Sequence, residues 1–251
     1  MLILCNNLFI ILINFFIFIE NKKLLNIQRR KITPRIEGGV ETSIDNFRFL
    51  VSLHRVFNKD GEVWISTCGG SIFTKYHVLT AAHCVHSEYV NEYYIRAGTK
   101  YLDEHGIKYR LSAILAHENY TNTEYGTTIH DIAIVRIKGF FDFSKGIVVA
   151  AQHFKYNEEI KPGTEATVVG WGVDSKRRGL VSEVLQKTSL PVIEKRECNE
   201  ILEDKFSEQI SEGQICAWKK ATEGRFQAAC SGDSGGPLLI NDKVAAIVSW
   251  S

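Results

Sequence analysis

What most limits the fold of this chain is the brevity of its apolar runs. In the first half they fall at residues 49–53, 71–73, 78–80, 94–97 and 132–137. In the second they fall at 166–169, 185–192, 237–240 and 244–250. Turn-forming residues bound most of them, and a run this short suits a strand better than a helix that must bury a stripe over several turns. Many short strands with frequent turn signals predict an all-β sandwich or barrel. With 251 residues the chain has material for one or two domains, and 45% apolar with 24% charged residues is the composition of a soluble globular protein. A formal charge of +1 gives no reason to expect nucleic acid as a partner. Four prolines, nineteen glycines and no long repeat argue against collagenous, solenoid and low-complexity classes.

Residues 230–237 read Cys-Ser-Gly-Asp-Ser-Gly-Gly-Pro, followed by Leu238, Leu239 and Ile240. Glycine allows positive φ and close approach of another backbone. A serine framed this way can sit on a tight turn with neighbouring N–H groups facing an oxyanion. Upstream, Thr80-Ala81-Ala82-His83-Cys84 ends an apolar run, and Asp131-Ile132-Ala133-Ile134-Val135 heads a strand-like one. A serine hydroxyl is a poor nucleophile until a base takes its proton, and that base works best when a third group fixes its tautomer.

With these three words in the order His, Asp, Ser, the chain from about Ile36 onward resembles the chymotrypsin/trypsin family of serine endopeptidases. The resemblance implies two packed six-stranded Greek-key β-barrels, about 36–145 and 146–251, the second incomplete at its C-terminus. His83 and Asp131 would come from the first barrel and Ser234 from the second. It further implies His83, Asp131 and Ser234 as catalytic, Gly232 and Ser234 as oxyanion donors, and disulfides Cys68–Cys84 and Cys198–Cys216. Substrate would meet Ala228, Ser231, Ser249, Trp250 and Ser251. No cofactor or metal is expected, and no CxxC pair suggests zinc. Asp103-Glu104 supplies too few oxygens for calcium. Protein or peptide substrates, an activating protease and protein inhibitors are the expected partners.

The apolar run 8–19, broken only by Asn14, is shorter than the roughly twenty residues of a spanning helix. It fits a signal peptide over 1–19, with a signal anchor as the alternative, no Lys or Arg preceding it. Residues 20–35 read as a basic activation peptide. Arg35-Ile36-Glu37-Gly38-Gly39 resembles the family's activation site, where cleavage after Arg35 frees the Ile36 ammonium to pair with Asp233. Two disulfides and a signal place the product outside the cell. Asn119-Tyr120-Thr121 is a glycosylation sequon.

Ala228 stands six residues before Ser234, where a family member selective for Lys or Arg has an aspartate. An apolar pocket floor predicts an uncharged side chain at the cleavage site, and Ser251 at the pocket mouth leans toward small or medium apolar ones. The family normally continues beyond Trp250 with the far pocket wall, a sulfur partner for Cys230, a last strand and a helix. The sequence therefore reads as a fragment, with residues 244–250 as an unprotected edge. A non-catalytic homologue acting as a binding module is the competing reading.

Overall fold

A computed structural model describes residues 39–59, 62–85, 89–122, 128–155, 158–174, 180–206, 209–219 and 229–250. The expected signal and activation segments, Arg35, Ile36, Ala228, Ser251 and His86 lie outside them. The strands are β1 (Val40–Glu41), β2 (Leu50–Lys59), β3 (Glu62–Ile72), β4 (His77–Thr80), β5 (Tyr93–Ala97), β6 (Ile107–Ala116), β7 (Thr121–Asn122), β8 (Thr128–Ile129) and β9 (Ala133–Ile137). They continue with β10 (Glu165–Gly170), β11 (Val173–Asp174), β12 (Leu180–Val181), β13 (Gln186–Ile193), β14 (Cys216–Ala217), β15 (Pro237–Ile240) and β16 (Lys243–Ile247).

Strands β2-β3-β4-β9-β6-β5 close into a barrel. Alternation explains why: Tyr93, Ile95 and Ala97 on β5, and Ala133, Val135 and Ile137 on β9, turn inward and are buried. The even-numbered residues between them point to the other face, as the period of two requires. Closure also removes the unpaired edges that an open sheet leaves. The second body is a six-stranded sheet, β1-β13-β10-β15-β16, with β14 on β13. Its own core gathers Val168, Leu190, Leu238 and Val248. Residues 40 and 41, assigned from sequence to the first barrel, pair instead with Lys187 and Gln186 of β13. Strand β16 ends the strand path beside β15, but the edge expected to be unprotected is partly covered. The Val244 amide donates to the Gln152 carbonyl at 2.8 Å, and its carbonyl accepts the Phe154 amide at 3.0 Å.

Among the described residues the α-helix is α1 (Lys195–Phe206), which buries Cys198 and Leu202. The disulfides Cys68–Cys84 and Cys198–Cys216 are both present, each with Cα atoms 6.2 Å apart. No described cysteine is free, so Cys230, expected to lack a sulfur partner, does not stand alone. Among the described residues no helix is long and apolar enough to cross a membrane.

The two bodies share a core, in which Val169, Trp171, Leu185 and Leu239 pack with the barrel's Leu50, Ile72 and Val135. They also touch backbone to backbone. A Cβ on Gly69 would lie 2.7 Å from Gly236 Cα, so β3 can run this close to the loop after Ser234 only without a side chain.

Candidate active site

His83 sits in the one-turn 3-10 helix Ala82–Cys84, directly after β4, and Asp131 lies just ahead of β9. Because β4 and β9 are paired neighbours, Thr80 opposite Ala133, the ends carrying the two residues emerge side by side. Asp131 Oδ1 accepts the His83 backbone N–H at 2.9 Å, and Oδ2 lies 2.7 Å from His83 Nδ1. The Ser249 hydroxyl donates to the same Oδ2 at 2.6 Å. Burial pushes the Asp131 carboxyl up, but the hydrogen bonds and charge of His83 and the Ser249 hydroxyl outweigh it, so the acid is held below the usual range. An ionised carboxylate only accepts, so the shared proton belongs on Nδ1, leaving Nε2 to take another.

Thr128, which no sequence signal marked, is buried beneath this pair. It donates to Asp131 Oδ2 at 3.2 Å and bonds the Ser249 oxygen at 2.6 Å, while its carbonyl accepts from Gln214 at 2.8 Å. His130, just before Asp131, has φ of 54° and stacks on His117 at 4.8 Å. His77, also unassigned to catalysis from sequence, bonds Thr74 at 2.8 Å.

Ser234 is half-buried at the far side of the interface. Its loop is closed by Asp233 N–H to Cys230 oxygen and Gly236 N–H to Asp233 oxygen, both 2.9 Å. Gly232 at φ 98° and Gly235 at φ 75° take conformations that a side chain strains. Gly235 faces the Ala81 amide, where an added Cβ would lie 3.0 Å away, two residues before His83. Neither the Gly232 nor the Ser234 amide donates to a described residue, so both remain available to an oxygen.

Asp233, 1% exposed, is a carboxylate almost sealed from water. Its oxygens accept the Gly172 amide at 2.8 Å and the Cys230 amide at 3.0 Å. Burial drives its pKa from 3.8 up to about 6, against the pull of those two amides. No described cation pairs with it. The Gly170-Trp171-Gly172 stretch linking β10 to β11 must carry glycine here, since a Cβ on Gly172 would collide with the Asp233 carboxylate.

Ser231 is exposed, Ser249 is buried, and Trp250 packs partly against Cys198, Leu202, Ile210 and Cys216. Cys68, His83 and Cys84 bring possible ligand atoms within 4.8 Å, the one such group among the described residues. Both sulfurs are spent in the Cys68–Cys84 bond, so the cluster is no cation site.

A closed β-barrel joined to a second antiparallel sheet, with His83 and Asp131 on one and Ser234 on the other, is the chymotrypsin-type fold. The Trypsin family model matches residues 36–251. Trypsin eta of Drosophila melanogaster is 34% identical over 222 residues, covering 86% of this chain and 78% of that one. Trypsin alpha of the same species is 32% identical over 220 residues, covering 88% and 78%. Among solved structures, the scabies mite inactivated protease paralogue S-D1 superposes with a TM-score of 0.71 over 86% of both chains at 22% identity, a likeness of fold. The chain belongs to the trypsin family of serine proteases.

Proposed function

We propose that this chain is the zymogen of a secreted serine endopeptidase that cleaves peptide bonds through an acyl-enzyme on Ser234. The observation that carries the reading is the 2.7 Å contact of His83 Nδ1 with Asp131, which leaves Nε2 as the base. Ser234 Oγ attacks the scissile carbonyl and gives its proton to Nε2. The Gly232 and Ser234 amides receive the oxyanion, an interaction worth about 3 kcal/mol per donor. His83 then protonates the leaving amine, and water, deprotonated by the same imidazole, releases the acyl group.

Activation by cleavage after Arg35 is supported by Asp233. A buried carboxylate held by two amides is costly without a cation. The Ile36 ammonium would supply one and draw the Ser234 loop with it. The two disulfides support an oxidising, extracellular destination. The relatives named above are called trypsins, yet Ala228 offers no charge to a Lys or Arg side chain. The preferred residue at the cleavage site is therefore a small or medium uncharged one.

The test is a peptide-library profile of the chain cut after Arg35, with Ser234→Ala beside it. The reading expects cleavage after small apolar residues and none from the variant. Turnover retained by Ser234→Ala excludes the nucleophile, and a profile peaking at Arg rejects the pocket.

A further inference from the structure

The sequence balances 30 Lys and Arg against 29 Asp and Glu, so no strong single-sign face is required of it. The first barrel nevertheless carries one. Five of its six strands, β2, β4, β5, β6 and β9, contain no Asp or Glu at all. On β6 and β9 the inward positions are apolar, with Leu111, Val135 and Ile137 buried in the core. The period of two then turns Lys108 and Arg110 outward on β6 and Arg136 outward on β9, with Lys138 just past its end. All four are exposed, and Lys75, just ahead of β4, joins them.

Register places these cations next to one another. The Lys138 amide donates to the Arg110 carbonyl at 2.7 Å, and Arg136 pairs with Ala113 of β6. None of the five forms a salt bridge with a described residue. The carboxylate that follows in the chain, Asp142, is bonded by Ser144 and lies 3.9 Å from Lys145. Aromatic rings hold the cations down on the surface. Lys108 Nζ lies 4.9 Å from the Tyr94 ring centre, Arg136 lies 6.0 Å from that of Tyr76, and Lys75 lies 5.2 Å from that of Phe140. Phe140 itself is 54% exposed.

We infer that this face is a docking surface for an extended acidic segment of a protein, one that alternates carboxylates with apolar or aromatic side chains. Like charges gathered without counter-charges raise a local potential that a polyanion relieves. Along each strand the cations repeat at i and i+2, about 6.7 Å apart, which is also the same-side spacing of an extended peptide. The exposed rings between them favour an acidic peptide over a sulfated glycan, which has no apolar groups to cover them. Arg136 and Lys138 follow Asp131 by five and seven residues of extended chain, roughly 15–25 Å. The surface is therefore separate from the bond-cleaving site. Its use in capturing substrate rests on the endopeptidase reading, whereas the binding itself does not.

The experiment measures fluorescence anisotropy of a labelled peptide of alternating Glu and Tyr on the full, uncleaved chain, with Arg110→Glu/Lys138→Glu and the milder Arg110→Gln/Lys138→Gln as variants. A sulfated heparin fragment and phosphatidylserine vesicles are assayed in parallel. The inference expects peptide binding that weakens at least about tenfold between about 0.05 and about 0.3 M salt and by about as much in the neutralised variant. Peptide binding unchanged in folded variants, or absent from the native chain, overturns it. Heparin or vesicle binding without peptide binding overturns the choice of partner. Loss of peptidase activity with peptide binding intact would sink only the endopeptidase reading.

Discussion

The amide of Gly69, on β3, donates to the carbonyl oxygen of Ser234 at 2.7 Å and so ties the barrel to the loop of the proposed nucleophile. Thr80 reinforces the joint, its hydroxyl donating to the Gly69 carbonyl at 2.8 Å. The position of Ser234 relative to His83 is thus set by backbone contact across the two bodies. Glycine is what permits it.

Gly235→Ala should therefore do two kinds of damage. Its φ of 75° disfavours any side chain, and the new methyl would meet Thr80 Oγ1 and the Gly69 carbonyl. Strain and overpacking together should cost about 2–5 kcal/mol. Thermal unfolding of the two proteins checks this, and an unchanged midpoint would show that the interface yields.

Asp131→Asn should fold, since the amide nearly matches the carboxylate in shape, but it removes the charge that steadies a protonated His83 and admits the wrong tautomer. The expected loss in kcat is about ten-thousand-fold, with little change in KM. Ser249→Ala removes one donor to Oδ2 and should cost far less, about tenfold. Steady-state kinetics of the cleaved enzymes compare them.

Asp233 gives the uncleaved chain a pH signature. Its folded pKa of about 6 lies above the ordinary 3.8, so between these values the folded state holds a proton that the unfolded state has lost. The stability this group contributes is complete below about pH 4 and is lost as pH rises through about 6. The shift corresponds to roughly 3 kcal/mol. Asp233→Asn should flatten that part of the profile of melting temperature against pH. Parallel profiles for variant and parent would contradict it.

The words around His83, Asp131 and Ser234 are legible because each packs its chemistry into adjacent residues. The short runs likewise mark β4, β9, β10 and β15 from their alternation or full burial. Other features depend on partners distant in the chain. Thr128 owes its place under Asp131 to Ser249, 121 residues away. Strand β1 exists by virtue of its pairing with β13. Strand β6 is rich in apolar residues, but most of them stay exposed or half-exposed, and the register shift between Leu111 and Ala113 breaks the alternation that would mark a strand. Helix α1 is similarly polar, anchored by a disulfide and a few buried side chains.

The most direct measurement is intact and tryptic mass spectrometry of the Arg35-cleaved chain after treatment with a fluorophosphonate. The account predicts one adduct per chain, on Ser234, lost in His83→Ala. An adduct on another serine, or none on a correctly cleaved and folded chain, would contradict it.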